Sequence, residues 1–219
     1  MKKVTTQIFF TILIALALPA ALWAFPTALN LVPTADILGA NTMRIAYESD
    51  GHNQPFDNPH TEYFYTQIGL GGKFEFGADD YDFRHIAYKV YNAKYLLTAE
   101  NEITPAIAIG FKDVSDISKT NYYVAGYKTY GKARLHFGGE TQDSKSWLFL
   151  GTDYVLAHGL YFIADWQTGK GRNASAGVAW EATKAICFSL YFTKNNTSSL
   201  RDTSDYVGGY VGYTFPLKQ

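Results

Sequence analysis

Two groups of residues have the types and spacing that could do chemistry. Asp50, His52, Asp57, His60 and Glu62 crowd into one short stretch, and carboxylate oxygens and imidazoles together can hold a divalent cation. Pro55 and Pro59 in the same stretch give the plainer reading, a hydrated surface loop with turns. His52, Asp57 and His60 are therefore weak metal candidates, and no metal or cofactor is expected. His136 precedes Glu140 by one helical turn's spacing or two strand repeats and could act as a general base. Yet the chain lacks a Gly-x-Ser-x-Gly elbow. None of its His residues, at 52, 60, 85, 136 and 158, has a Ser or carboxylate at a spacing that compels catalysis. No enzyme is expected, and a membrane-edge lipid-modifying enzyme is the least supported reading. Asn195-Asn-Thr and Asn196-Thr-Ser match glycosylation sequons but read more simply as a polar loop.

The remaining charges fall on alternate positions of short stretches, and that spacing requires strands. In 173–182, Ala174, Ala176, Val178, Trp180 and Ala182 share one face, with Asn173, Ser175, Gly177, Ala179 and Glu181 on the other. Comparable stretches cover 42–49, 61–70, 73–82, 86–98, 103–112, 120–129, 131–139, 146–156, 159–167, 173–182, 184–193 and 205–216. The composition suits strands, with 17 Tyr, 15 Phe, 19 Gly and only 18% charged residues. The pattern predicts an all-β fold, a transmembrane antiparallel up-and-down β-barrel of the outer-membrane kind spanning residues 41–219. Twelve strands are expected; a slip around Asp80–His85 or Thr98–Glu102 would leave ten. A soluble β-sandwich would also alternate, but polar positions recurring on nearly every strand fit a lumen better.

Connection lengths orient such a barrel. Ser49–His60, Asp113–Lys119, Glu140–Lys145 and Lys194–Ser204 are long and polar, whereas Gly71-Gly72, Gly131, Ala157-His158 and Thr183 are tight. The long set is expected outside the cell and the tight set in the periplasm. Hydrocarbon penalises an unpaired charge by roughly 2–4 kcal/mol at the bilayer midplane, so charges should point inward. The expected lumen set is Arg44, Glu48, Gln67, Lys73, Glu75, Asp79, Lys94, Lys112, Arg134, His136, Asp153, Asp165 and Glu181. Opposite charges there can pair, with Arg134–Asp153 and Lys73–Glu48 as examples. Met43, Ile45, Phe74, Phe76, Ile109, Leu148, Leu150, Phe162, Phe188 and Leu190 are assigned to lipid, while 121–128 reads on either face. Trp147, Tyr154, Trp166, Trp180, Tyr213 and Phe215 lie near strand ends and are assigned to aromatic girdles. The single Cys187, between Ile186 and Phe188, is expected to point inward.

The address is written first. Lys2 and Lys3 precede an apolar run from Ile8 to Leu18, then Pro19 and small residues up to Ala24. Residues 1–24 read as a signal peptide cleaved near Ala24, and the run is too short for a spanning helix of about 20 residues. Cleavage leaves 195 residues with 17 Lys and Arg against 20 Asp and Glu. No clustered basic face suggests a nucleic-acid partner. Residues 25–40, carrying Pro26, Pro33 and apolar side chains, form an N-terminal segment read as a lumen plug or a periplasmic extension. The last strand, Val207 to Phe215, resembles the C-terminal strand by which assembly machinery recognises such barrels, though Pro216-Leu-Lys-Gln219 follows the aromatic.

Leu31-Val-Pro-Thr-Ala-Asp36, Pro105-Ala-Ile-Ala-Ile-Gly-Phe-Lys-Asp113 and Tyr122-Tyr-Val-Ala-Gly-Tyr-Lys128 resemble segments of the YjbH family of outer-membrane barrels. That resemblance implies a role near exopolysaccharide export. It covers about a third of the processed chain by our reading and carries no catalytic residues. Three functional classes follow: a small porin-like channel for ions or solutes, a closed structural or interaction barrel, and the membrane enzyme. The expected partners are outer-membrane lipid, barrel-assembly machinery and polysaccharide-export components, with the cell outer membrane as location.

Overall fold

Alternation of apolar and polar residues carries through into twelve strands. They are β1 (Thr42–Gly51), β2 (His60–Leu70), β3 (Phe74–Asp80), β4 (Lys89–Thr98), β5 (Ala106–Val114), β6 (Asn121–Tyr130), β7 (Ala133–Gln142), β8 (Lys145–Ala157), β9 (Leu160–Gln167), β10 (Asn173–Glu181), β11 (Ile186–Asn195) and β12 (Tyr206–Pro216). The computed structural model describes residues 28–51, 54–55, 60–80, 89–115, 119–169, 172–195 and 205–217. Each strand pairs antiparallel with its sequence neighbours, and β1 closes on β12 from Thr42 opposite Pro216 to Gly51 opposite Val207. Closure leaves no sheet edge, so every strand finds its backbone partners within the wall.

The wall has two unlike faces. On β8, Leu148 and Leu150 are 65% and 55% exposed while Phe149 between them is 1% exposed. On β10, Trp180 points out and Ala179 is buried. Phe74, Phe76, Ile109, Phe162, Phe188 and Leu190 are all exposed, so the outer surface is apolar, as a wall facing hydrocarbon must be. Residues 121–128, ambiguous in sequence, resolve the same way: Tyr122 and Val124 point out, Tyr123 and Ala125 in.

Tight connections gather at the end where β1 starts and β12 finishes. Gly71, Gly72, Gly131 and Gly159 adopt positive φ there, a conformation glycine reaches without steric cost. The exception at this end is 99–105, where Asn101 Oδ1 accepts from the Ile103 and Thr104 amides at 2.9 and 2.8 Å. β5 accordingly begins at Ala106 rather than 103, immediately after Pro105, which has no N–H to give a ladder. At the other end one expectation fails. Glu140–Lys145 is not a long loop: β7 and β8 stay paired through Gln142 opposite Lys145. Asp143 and Ser144 turn the chain with φ of 52° and 62°, the left-handed pair of a two-residue hairpin. Asp tolerates that conformation, and the turn adds ladder pairs to both strands.

Residues 28–40 run inside this wall. Val32, Thr34, Ala35 and Leu38 are buried. Leu29 and Val32 pack with Phe149, Tyr161 and Ile163, and Ala35 packs with Ala106 and Ala108. The wall makes room by omitting side chains. A Cβ at Gly151 would collide with Leu29 Cδ1, and one at Gly69 would collide with the backbone of Leu38 and Gly39.

Candidate functional site: the lumen and the segment within it

Inward positions of the strands carry polar groups from around the barrel, and the 28–40 segment exchanges hydrogen bonds with many of them. Asp165 on β9 accepts from the Leu31 amide at 2.8 Å, and its other oxygen accepts from Ser175 at 2.6 Å. Asn30 donates to Ser175 Oγ at 2.9 Å. Glu75 on β3 accepts from the Leu38 amide at 2.9 Å. Lys94 on β4 donates to the Thr34 carbonyl at 3.1 Å. Arg134 on β7 donates through Nη1 to Asp36 at 2.9 Å and through Nε to Asp153 at 2.9 Å. Asp153 Oδ2 also lies 2.7 Å from His136 Nε2. These groups come from separate strands, yet each meets the segment or a neighbour that does. Buried backbone amides and charges need such partners.

Other inward residues pair with each other. Lys112 Nζ lies 3.2 Å from Glu140 Oε1, whose second oxygen accepts from Asn121 Nδ2 at 2.9 Å. Asp79 accepts from Asn92 at 2.7 Å, Arg44 Nε donates to Thr214 at 3.0 Å, and the Tyr161 hydroxyl donates to Glu181 at 3.2 Å. Glu48 accepts from the Tyr191 hydroxyl. Gln67 and Cys187 line the same cavity as Glu48.

Two sequence assignments need correction. Lys73 is exposed in the turn after Gly72 and does not face the lumen, because the hairpin geometry, not strand parity, decides where it points. It cannot pair with Glu48, which sits opposite Tyr63, far along β2 from that turn. Trp147 is buried, not at a lipid-facing girdle. It shares the inward parity of Phe149 and Asp153 and has the Arg172 guanidinium 3.4 Å over its ring. Tyr154, Trp166, Trp180 and Tyr213 are exposed on the outer face, and Phe215 stacks on Tyr213 at 5.6 Å. His60 lies 3.5 Å from Glu62, while His52 and Asp57 fall outside the described residues. Among the described residues no three His, Cys, Asp or Glu groups are placed to hold a metal.

Closed antiparallel order, an apolar exterior and a polar interior are now all in place. The chain has the fold of an outer-membrane β-barrel. The KdgM porin superposes with a TM-score of 0.52 and 12% identity, covering 80% of this barrel's chain and 99% of that chain. A KdgM porin in complex with disordered oligogalacturonate gives the same score and identity over 81% and 99%. Outer membrane phospholipase A from Escherichia coli superposes at 0.49, with 14% identity over 89% of this chain and 94% of that one. No family model and no curated relative matches the barrel by sequence, so its likeness to the YjbH family rests on the three short segments alone.

The lumenal residues that sequence reasoning missed are mostly neutral or lie before β1. Asp36, Thr34 and Asn30 belong to the segment, and Tyr191 and Asn121 are inward by parity but carry no charge to mark them. Strict alternation from Cys187 would have placed Tyr191 inward.

Proposed function

We propose that this protein is an outer-membrane barrel with a porin-like role, a narrow passage for ions or small solutes restricted by residues 28–40. One observation carries the reading. The interior polar groups Asp165, Glu75, Lys94 and Arg134 hold the segment by hydrogen bonds and one ion pair, contacts that water and ions in a lumen can replace. The fold shared with the KdgM porin, which has been seen with oligogalacturonate, supports the solute-passage reading. Signal-peptide cleavage near Ala24, insertion by barrel-assembly machinery and residence in outer-membrane lipid belong to the same proposal. The YjbH-like segments extend it to a place beside polysaccharide-export components.

A closed structural or interaction barrel is the second reading, favoured by the packing of Leu29 and Val32 against Phe149 and Ile163. Planar-bilayer recording separates the two. The refolded chain beginning at Phe25 is compared with one beginning at Asn41, both shown to be inserted. Restricted conductance from the first and larger steady steps from the second support the plugged passage; silence from both overturns it.

A further inference from the structure

Two carboxylates in the lumen share one hydroxyl. The Tyr191 hydroxyl bonds Glu48 Oε1 and lies 3.0 Å from Asp50 Oδ1. A hydroxyl carries one proton and can donate to only one of them at a time, and Glu48 also accepts from the Tyr65 hydroxyl. Among the described residues no Lys, Arg or His lies within ion-pair distance of either carboxylate. Carboxylates withdrawn from bulk water without a counter-charge are costly.

A cavity lies beside this pair. It encloses about 120 Å³ and is lined by Glu48, Tyr65, Gln67, Tyr191 and Tyr210 on the wall and by Leu29 of the segment. That volume is comparable to cavities of about 150 Å³ that admit a benzene-sized ligand. Tyr65 and Tyr210 stand 6.4 Å apart and tilted, Tyr63 stacks on Tyr65 at 6.1 Å, and Tyr206 meets Tyr191 edge-on at 6.4 Å. Aromatic faces around a negative site attract an alkylated ammonium, which gains from the rings and from the charge together.

We infer that this cavity binds a small organic cation, an ammonium bearing methyl or short alkyl groups, between the Tyr65, Tyr191 and Tyr210 rings and the Glu48 carboxylate, with Asp50 adding negative charge from behind the Tyr191 hydroxyl. A bare metal ion is disfavoured because, among the described residues, no three His, Cys, Asp or Glu groups are placed to hold one. A neutral sugar would leave the carboxylates uncompensated. The inference deepens the solute-passage reading by giving the lumen a preferred charge, and it rests on the cavity being reachable from solution as that reading holds.

Calorimetric titration of the refolded chain in detergent micelles tests it, with choline, with 3,3-dimethylbutan-1-ol, in which carbon replaces the choline nitrogen, and with glucose. Saturable heat is expected from choline alone. Glu48→Gln should weaken choline at least about tenfold, a change of roughly 1.4 kcal/mol, Asp50→Asn should weaken it less, and Tyr65→Leu should weaken it more than Tyr65→Phe, which removes only the hydroxyl that Glu48 accepts from. Glu102→Gln, in an exposed turn, should change nothing. Folding of each variant is checked by heat-dependent migration on a gel. Equal binding of choline and its neutral isostere, binding of glucose instead, or choline binding untouched by Glu48→Gln would each overturn the inference. Choline binding by a chain that shows no conductance would sink the passage reading and leave the site standing, and conductance without choline binding would do the reverse.

Discussion

Arg134 and Asp36, 98 residues apart in sequence, form a two-point contact in the lumen, with Nη1 2.9 and 3.1 Å from the two carboxylate oxygens. The same guanidinium turns its Nε to Asp153 on the adjacent strand at 3.1 and 2.9 Å. One always-charged cation therefore joins the segment to the wall. The Tyr127 ring lies under it at 5.0 Å from its centroid. Asp153 is shared further with His136, so the join is rigid on the wall side and depends on Asp36 alone on the segment side.

Arg134→Gln should loosen the segment, which Asp165, Glu75 and Lys94 still hold. Removing one partner of a buried pair costs about 3–5 kcal/mol in a dry interior and less where lumenal water can enter. The expected result in planar bilayers is more frequent and longer open events than wild type. Asp36→Asn should act in the same direction, and the double variant should add little, because both changes break one contact. Recordings indistinguishable from wild type for both variants would rule out this pair as the tether.

Gly151→Val should have a related effect by steric means. A Cβ at this position would overlap Leu29 Cδ1 and lie 3.2 Å from the Ala164 carbonyl oxygen on β9, so a branched side chain must push Leu29 aside, and with it the cover that Leu29 gives the cavity. Cys187 gives a readout, since its thiol is buried and lines the cavity beside Leu29. A small water-soluble thiol reagent should modify Cys187 about tenfold or more faster in the variant than in wild type, because access limits an otherwise ordinary thiol. Equal rates would mean the segment does not guard the cavity.

Much of this architecture is legible in sequence because period-two alternation is a local property. Asn173 to Glu181 shows its two faces without any partner in view. The errors arise where something non-local or geometric overrides parity. Nearness to a strand end marks Trp147 as a girdle residue, although its spacing from Asp153 on the same strand puts both on one face. Lys73 sits one residue outside β3, where a turn sets direction. Asp143-Ser144 carries no glycine to announce a left-handed turn. The lodging of 28–40 could be raised from its Pro and apolar content, but its partners could not be read, since Asp36–Arg134 and Leu31–Asp165 cross most of the chain.

Tryptophan emission should sort the indoles by face. Trp166 and Trp180 are exposed on the outer wall, whereas Trp147 lies inside under Arg172. In vesicles of brominated lipid, a variant keeping only Trp180 should be strongly quenched and one keeping only Trp147 weakly quenched, because bromine quenches at contact with the acyl region where girdle rings sit. Strong quenching of Trp147 would return it to the outer face and contradict the register of β8.

Glu100, in the turn between β4 and β5, should make that turn acid-sensitive. Partial burial pushes its carboxyl up, but the Thr129 amide and hydroxyl, at 2.6 and 2.7 Å, and the Lys128 ammonium at 3.4 Å outweigh it. The net effect holds the group below the usual glutamate value of 4.5. A carboxylate depressed on folding contributes stability that is fully present above that usual value and is lost as pH falls through the folded one. The Thr129 amide resonance of the refolded barrel in micelles should therefore titrate with a midpoint below 4.5, and Glu100→Gln should abolish the titration. Because the contact sits in a turn at the rim of the barrel, the effect on overall unfolding should be small and should shrink further in high salt. A Thr129 midpoint at or above the usual value would show that the turn does not hold Glu100 in its charged form.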